Sequence, residues 1–209
     1  MVQRRRNGKK KTREDSIMNY SDKYKVLWAT PIRTASRSCM PIQTYFEFDV
    51  IGLHGLQIPK GKEEYFFVLN IRNPYIRMIS IYHLFCVHSE STPNDFNSWI
   101  RQKLYEEIKF PGKTLDYEFF LKKRITKTPD LLIRVENLYS DILKLPFFMD
   151  DSHELFDIVY DNILNNGYSS GYDYKEYYDQ DLADYVYSYL EEDFVYFNYN
   201  KDSWKNGTS

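Results

Sequence analysis

"YFFVLNIRNPYIRMISIYH" spans residues 65–83 and changes character half-way along. YFFVLNI (65–71) is a short run rich in aromatic and aliphatic side chains, with the length and composition of a buried strand. Asn73-Pro74 breaks the run. Proline is favoured at the first position of a helix, where its missing N–H would have no intrahelical acceptor. From Pro74 to about Val87 the chain is apolar on nearly every side, the pattern of a buried helix. Arg72 closes the strand, and Arg77 and Ser80 interrupt the helix. Ser80 lies six residues past Pro74, roughly 9 Å along the axis at 1.5 Å per residue. An arginine reaching forward from the strand and a serine reaching back along the helix can share one anion. Arg77, one turn before Ser80, has the plainer reading of a surface ion pair.

Two further segments repeat the strand-then-helix order. YKVLWA (24–29) reads as a strand, and DLLIRVENL (130–138) reads as a strand that runs into a helix ending near Pro146. Helical patterns cover 39–48, with Pro41 in the first turn, and then 94–108, 115–125, 152–164 and 174–193. In the last of these Leu182, Val186, Tyr189 and Leu190 share a face. Residues 49–64 carry glycine and proline breakers, and 165–173 read as a loop. This alternation predicts an α/β fold, a parallel sheet with helices on both faces, in one domain over residues 23–209. Ligands of such sheets bind beyond the carboxyl ends of the strands. The loops after 24–29, 65–71 and 130–135 are therefore the ones to inspect.

Composition narrows the partners. The chain has 209 residues and 18% aromatic residues, including 20 tyrosines, enough for one domain with a sizeable core. Seven of its 28 basic residues fall within RRRNGKKKTR (4–13), and the remaining 21 stand against 30 acidic ones. An acidic body disfavours nucleic acid as the main partner. Residues 1–22 read as a basic disordered tail, the other reading being weak contact with nucleic acid or an anionic surface. Cys39 and Cys86 make no disulfide framework, and a reducing compartment fits them. The four histidines form no close ligand pair and there is no CxxC, so no structural metal is expected. No run approaches the ~18 apolar residues of a membrane span, and no apolar segment follows the charged N-terminus as in a signal peptide. The expectation is a cytoplasmic protein, bacterial or viral in a host cell, and not secreted. The NYS (19–21) and NGT (206–208) sequons then read as chance matches.

TPIRTASRS (30–38) joins the first strand to the next helix. Its small residues allow backbone amides to crowd an anion at a helix N-terminus. Thr34, Ser36 and Ser38 add hydroxyls, and Arg33 and Arg37 add charge. The segment reads as a phosphate cradle without the GxxxxGK[ST] pattern, or more plainly as a polar helix cap.

Taken together, these segments resemble the sulfotransferases, especially the membrane-type carbohydrate enzymes. TPIRTASRS resembles their 5′-phosphosulfate loop, and RNPYIRMIS resembles their 3′-phosphate motif, R-[DN]-P-x-x-R-x-x-S. LLIRVENL and the segment from NNGYSSGYDYKEYYD to FNY resemble two later motifs, in the family's order. The resemblance implies a P-loop-nucleotide-hydrolase-like sulfotransferase fold and 3′-phosphoadenosine 5′-phosphosulfate (PAPS) as sulfuryl donor, with no metal. It implies Arg33, Thr34, Ala35, Ser36, Arg37 and Ser38 around the 5′ end, and Arg72 and Ser80 on the 3′-phosphate. Arg33 stands where the family usually has lysine. Arginine neutralises charge on a leaving phosphate but is a poor proton donor. Ser36-Arg37 stands where glycine-threonine is common.

Transfer to an acceptor hydroxyl also needs a general base. His54 is the candidate, in the stretch where several carbohydrate-directed members keep a histidine; its other reading is a loop histidine with no chemical role. Glu47 and His83 are further candidates, His83 being expected to pack within its helix. The resemblance favours a carbohydrate acceptor over a tyrosyl peptide or lipid. The rival readings are a nucleotide phosphotransferase, with Glu136 as magnesium ligand, and a non-catalytic nucleotide-binding relative.

Overall fold

Val26–Thr30 is buried at every position, as a strand covered on both faces must be. In the computed structural model, which describes residues 17–53, 56–88, 95–109, 120–148 and 173–205, this segment is the middle strand of a five-stranded mixed sheet. The strands are β1 (Ile17–Ser21), β2 (Val26–Thr30), β3 (Asp49–Leu53), β4 (Phe66–Ile71) and β5 (Leu131–Arg134), in the order β3-β1-β2-β4-β5. β2, β4 and β5 run parallel. β1 pairs antiparallel with both β2 and β3.

Helices cover both faces. They are α1 (Ser36–Tyr45), α2 (Pro74–His88), α3 (Phe96–Lys109), α4 (Leu138–Ile142) and α5 (Gln180–Tyr196). The twofold alternation of the strands divides their side chains between two cores. Trp28, Val68 and Ile133 pack with Cys39 of α1 and Ile142 of α4. Leu27, Leu69 and Leu132 belong to the opposite core, with Ile79 of α2, Trp99 of α3 and Val186 of α5. Among the described residues no helix is long and apolar enough to cross a membrane.

Several expectations change. The sheet is mixed rather than parallel, because β1 and β3 form an antiparallel extension beside β2. Residues 17–21, expected in the tail, form β1, whose Met18 is buried. Asn19 of the NYS sequon is buried as well, and its amide donates to Gln43 Oε1 at 2.6 Å. The last helix starts at Gln180 rather than 174. Asp179 accepts from the Leu182 N–H at 2.8 Å and caps it, while Tyr174–Glu176 form a separate 3₁₀ turn. α1 starts at Ser36, so Pro41 lies in its second turn. The helical pattern at 152–164 lies outside the described residues, and of that at 115–125 residues 120–125 are described and form no α-helix. Lys122–Arg124 form a 3₁₀ turn.

Candidate functional site

Adjacent parallel strands β2 and β4 send their helices to opposite faces of the sheet, α1 to one and α2 to the other. Such a switch opens a crevice at the carboxyl ends of the two strands. The loop from Pro31 to Ala35 lies on that edge. Arg33 and Ala35 both have φ of 64°, a left-handed conformation that non-glycine residues rarely adopt. Left-handed Ala35 is followed by helical Ser36, and neighbours of opposite hand form the unit of an anion-binding backbone nest. No side chain caps α1, and the first amides of a helix have no intrahelical acceptor.

Contacts from β4 and α2 hold this loop. Asn70 Nδ2 donates to the Thr34 carbonyl at 2.8 Å and lies 3.1 Å from Cys39 Sγ, while Asn70 Oδ1 accepts from Trp28 Nε1 at 2.8 Å. Arg77 Nε donates to the Ile32 carbonyl at 3.2 Å. Arg72 Nη1 lies 3.5 Å from the Arg33 carbonyl. Arg33 Nε donates to Ser80 Oγ at 2.8 Å. The loop and the strand-arginine-helix segment, read separately in the sequence, thus meet side chain to side chain.

The expected residues take different positions. Arg72 and Ser80 are 8% and 1% exposed, so both are buried in the β4–α2 unit. Ala35 and Ser36 are half-buried, Arg37 is exposed and Ser38 is buried. Thr34 was expected to offer its hydroxyl to phosphate. It is buried, and its hydroxyl donates to the Pro31 carbonyl at 2.6 Å, so it shapes the loop. Arg77 is 2% exposed rather than a surface residue. Glu136 accepts from the Asn73 N–H at 2.6 Å and from the Tyr199 hydroxyl at 3.1 Å, so each of its carboxylate oxygens ties the β4–α2 junction or the C-terminal segment. Exposed Glu47 lies in the turn after α1. His54 lies outside the described residues.

Sequence reading missed two contributors, Asn70 and Tyr174. Asn70 is fully buried in an otherwise apolar strand, and a buried amide must find partners; that was its available signal. Replacing it with alanine leaves the Thr34 carbonyl and Trp28 Nε1 without it, at a cost of about 1–3 kcal/mol. Urea denaturation of Asn70→Ala should show that loss. Tyr174 is buried, and its hydroxyl has no hydrogen-bond partner among the described residues. Burial and then the Glu136 charge raise its pKa, and the Arg72 charge opposes them. His83, a further candidate base in the sequence, is half-buried. Its Nε2 lies 2.7 Å from the Tyr177 hydroxyl, and burial and then the Arg33 charge lower its pKa from the ordinary histidine value.

Comparison of the chain with protein-family models, curated proteins and solved structures gave no match. The functional reading therefore rests on the geometry above and on the resemblance of the motifs.

Proposed function

We propose that this protein is a PAPS-dependent sulfotransferase with a P-loop-like sulfotransferase fold, acting on a hydroxyl of a carbohydrate. The observation that carries the reading is the junction of Arg33 with Ser80, with Arg72 behind the loop, at the crevice between β2 and β4. The two segments that resemble the family's donor motifs meet where an α/β sheet binds ligands.

In this reading the nest at Ala35 and the first turn of α1 receive the 5′-phosphate. Arg72 and Ser80 receive the 3′-phosphate. The acceptor oxygen attacks sulfur in line, and the bond from sulfur to the phosphate oxygen breaks. Arg33 stabilises the charge that develops on that oxygen. Fixed cationic and amide groups in a water-poor crevice serve this purpose well, because they need no reorganisation as charge moves. A magnesium-dependent phosphotransferase is less well served, because Glu136 already engages the Asn73 amide and the Tyr199 hydroxyl.

The test is an acceptor screen with donor labelled in its sulfate, covering saccharides, tyrosyl peptides and lipids. Label should pass to a saccharide. Label that stays on the donor, with phosphate instead leaving a nucleoside triphosphate, would favour the phosphotransferase. The donor site has its own test. Arg72→Ala should weaken adenosine 3′,5′-bisphosphate by about 1.5–3 kcal/mol, the range for a hydrogen bond to a charged group, and Ser80→Ala by less. Calorimetry with an analogue lacking the 3′-phosphate should show little change in either variant; equal losses for both ligands would make the two residues structural.

A further inference from the structure

We propose that His83, held by Tyr177, takes the proton from the acceptor hydroxyl. The inference rests on the sulfuryl-transfer reading and assigns the step that reading leaves open. His83 is three residues beyond Ser80 on α2, and residues so spaced are neighbours on one helix face. Ser80 accepts from Arg33, so His83 lies one turn farther along the same wall, on the face that looks at Arg33. Its ring is half-buried rather than sealed in the core.

Tyr177 follows the 3₁₀ turn at Tyr174–Glu176 and fixes the imidazole in two ways. Its hydroxyl is 2.7 Å from Nε2, and its ring meets the His83 ring edge-on at 5.6 Å between centroids. Tyr177 in turn packs perpendicular to Phe96 of α3, and Tyr82 stands beside His83 on α2. The imidazole thus meets Tyr177 from the segment before α5 and Tyr82 from its own helix, and it feels the charge of Arg33 from the loop. Burial, and after it the Arg33 charge, lower the imidazole's pKa and so favour the neutral ring, the state in which it can accept a proton.

The step balances. A bond forms between the acceptor oxygen and sulfur, and the bond from sulfur to the 5′-phosphate oxygen breaks. The departing electron pair stays on that oxygen beside Arg33, and the acceptor's proton ends on the His83 imidazole. The Arg33 charge that stabilises the leaving group also adds to burial in disfavouring protonation of the base beforehand.

The test uses the full chain, sulfate-labelled PAPS with water as acceptor, and adenosine 3′,5′-bisphosphate as binding probe. His83→Gln retains a polar side chain beside Tyr177 but cannot titrate. It should bind the bisphosphate as the unaltered protein does, release labelled sulfate roughly a hundredfold more slowly, and lose the acid limb of the pH–rate profile. Tyr177→Phe should keep that limb, displaced in pH, with a smaller loss of rate. Sulfate release by His83→Gln at the unaltered rate overturns the proposal. So does a variant that loses the bisphosphate as well, because His83 would then support the loop. If the unaltered protein neither binds the bisphosphate nor releases sulfate, the sulfuryl-transfer reading fails, and the assignment of His83 falls with it.

Discussion

Arg33→Ala is expected to lower the rate of sulfuryl transfer by roughly 10²–10³-fold, the usual effect of deleting one donor aimed at developing charge. Donor affinity should fall much less, because the charge that Arg33 meets grows only as the bond to sulfur breaks. Steady-state kinetics should therefore show the loss mainly in kcat. Backbone strain supplies an internal control. Arg33 has φ of 64°, where glycine is unstrained and alanine is not. Arg33→Gly should match Arg33→Ala in its loss of rate and be at least as stable. Two variants equal in activity but ordered this way in stability would separate the guanidinium's chemical role from the backbone's. If Arg33→Gly kept full activity, the guanidinium would have no part in transfer.

Deleting residues 1–22 is expected to destabilise the protein severely. The cut removes β1, which joins β3 to β2 through antiparallel pairing on both sides. It also removes buried Met18 and the Asn19–Gln43 hydrogen bond. Truncating a buried methionine to alanine alone typically costs about 2–5 kcal/mol, so losing the whole strand should exceed that. At roughly 2–4 °C per kcal/mol for a chain of this size, the melting temperature should drop by ten degrees or more, if the shortened chain folds at all. Thermal unfolding followed by circular dichroism measures this directly. A truncated protein that melts at the original temperature would mean that β1 contributes nothing to the sheet.

The contrast between β1 and β4 shows what the chain reveals locally. β4 was legible because FFVLNI is apolar at every position but Asn70 and a proline follows at the first position of α2. β1 was not, because IMNYS is five residues long, half polar, and close behind a run of positive charge. Its identity as a strand comes from pairing with segments on both sides, which local pattern does not carry. β3 was hidden in the same way by the glycine and proline residues around it. The start of α5 was misplaced because Tyr174, Tyr177 and Tyr178 continue the helical spacing, whereas the Asp179 cap decides the boundary.

The site divides along the same line. Arg72 and Ser80 could be paired from spacing on one strand–helix unit. The contact of Arg33 with Ser80 spans 47 positions, and that of His83 with Tyr177 spans 94, so neither has a local signature. Asn70 was visible as an oddity, a polar residue in an apolar strand, but its three partners were not.

The central claim is that the crevice between β2 and β4 binds a nucleotide through a 3′-phosphate. Calorimetric titration of the full chain with adenosine 3′,5′-bisphosphate and, separately, with adenosine 5′-phosphate tests it most directly. The account predicts saturable one-to-one binding of the bisphosphate, at least tenfold tighter than the monophosphate, because Arg72 and Ser80 meet only the 3′ group. Equal affinity for the two nucleotides, or no binding of either, would contradict it.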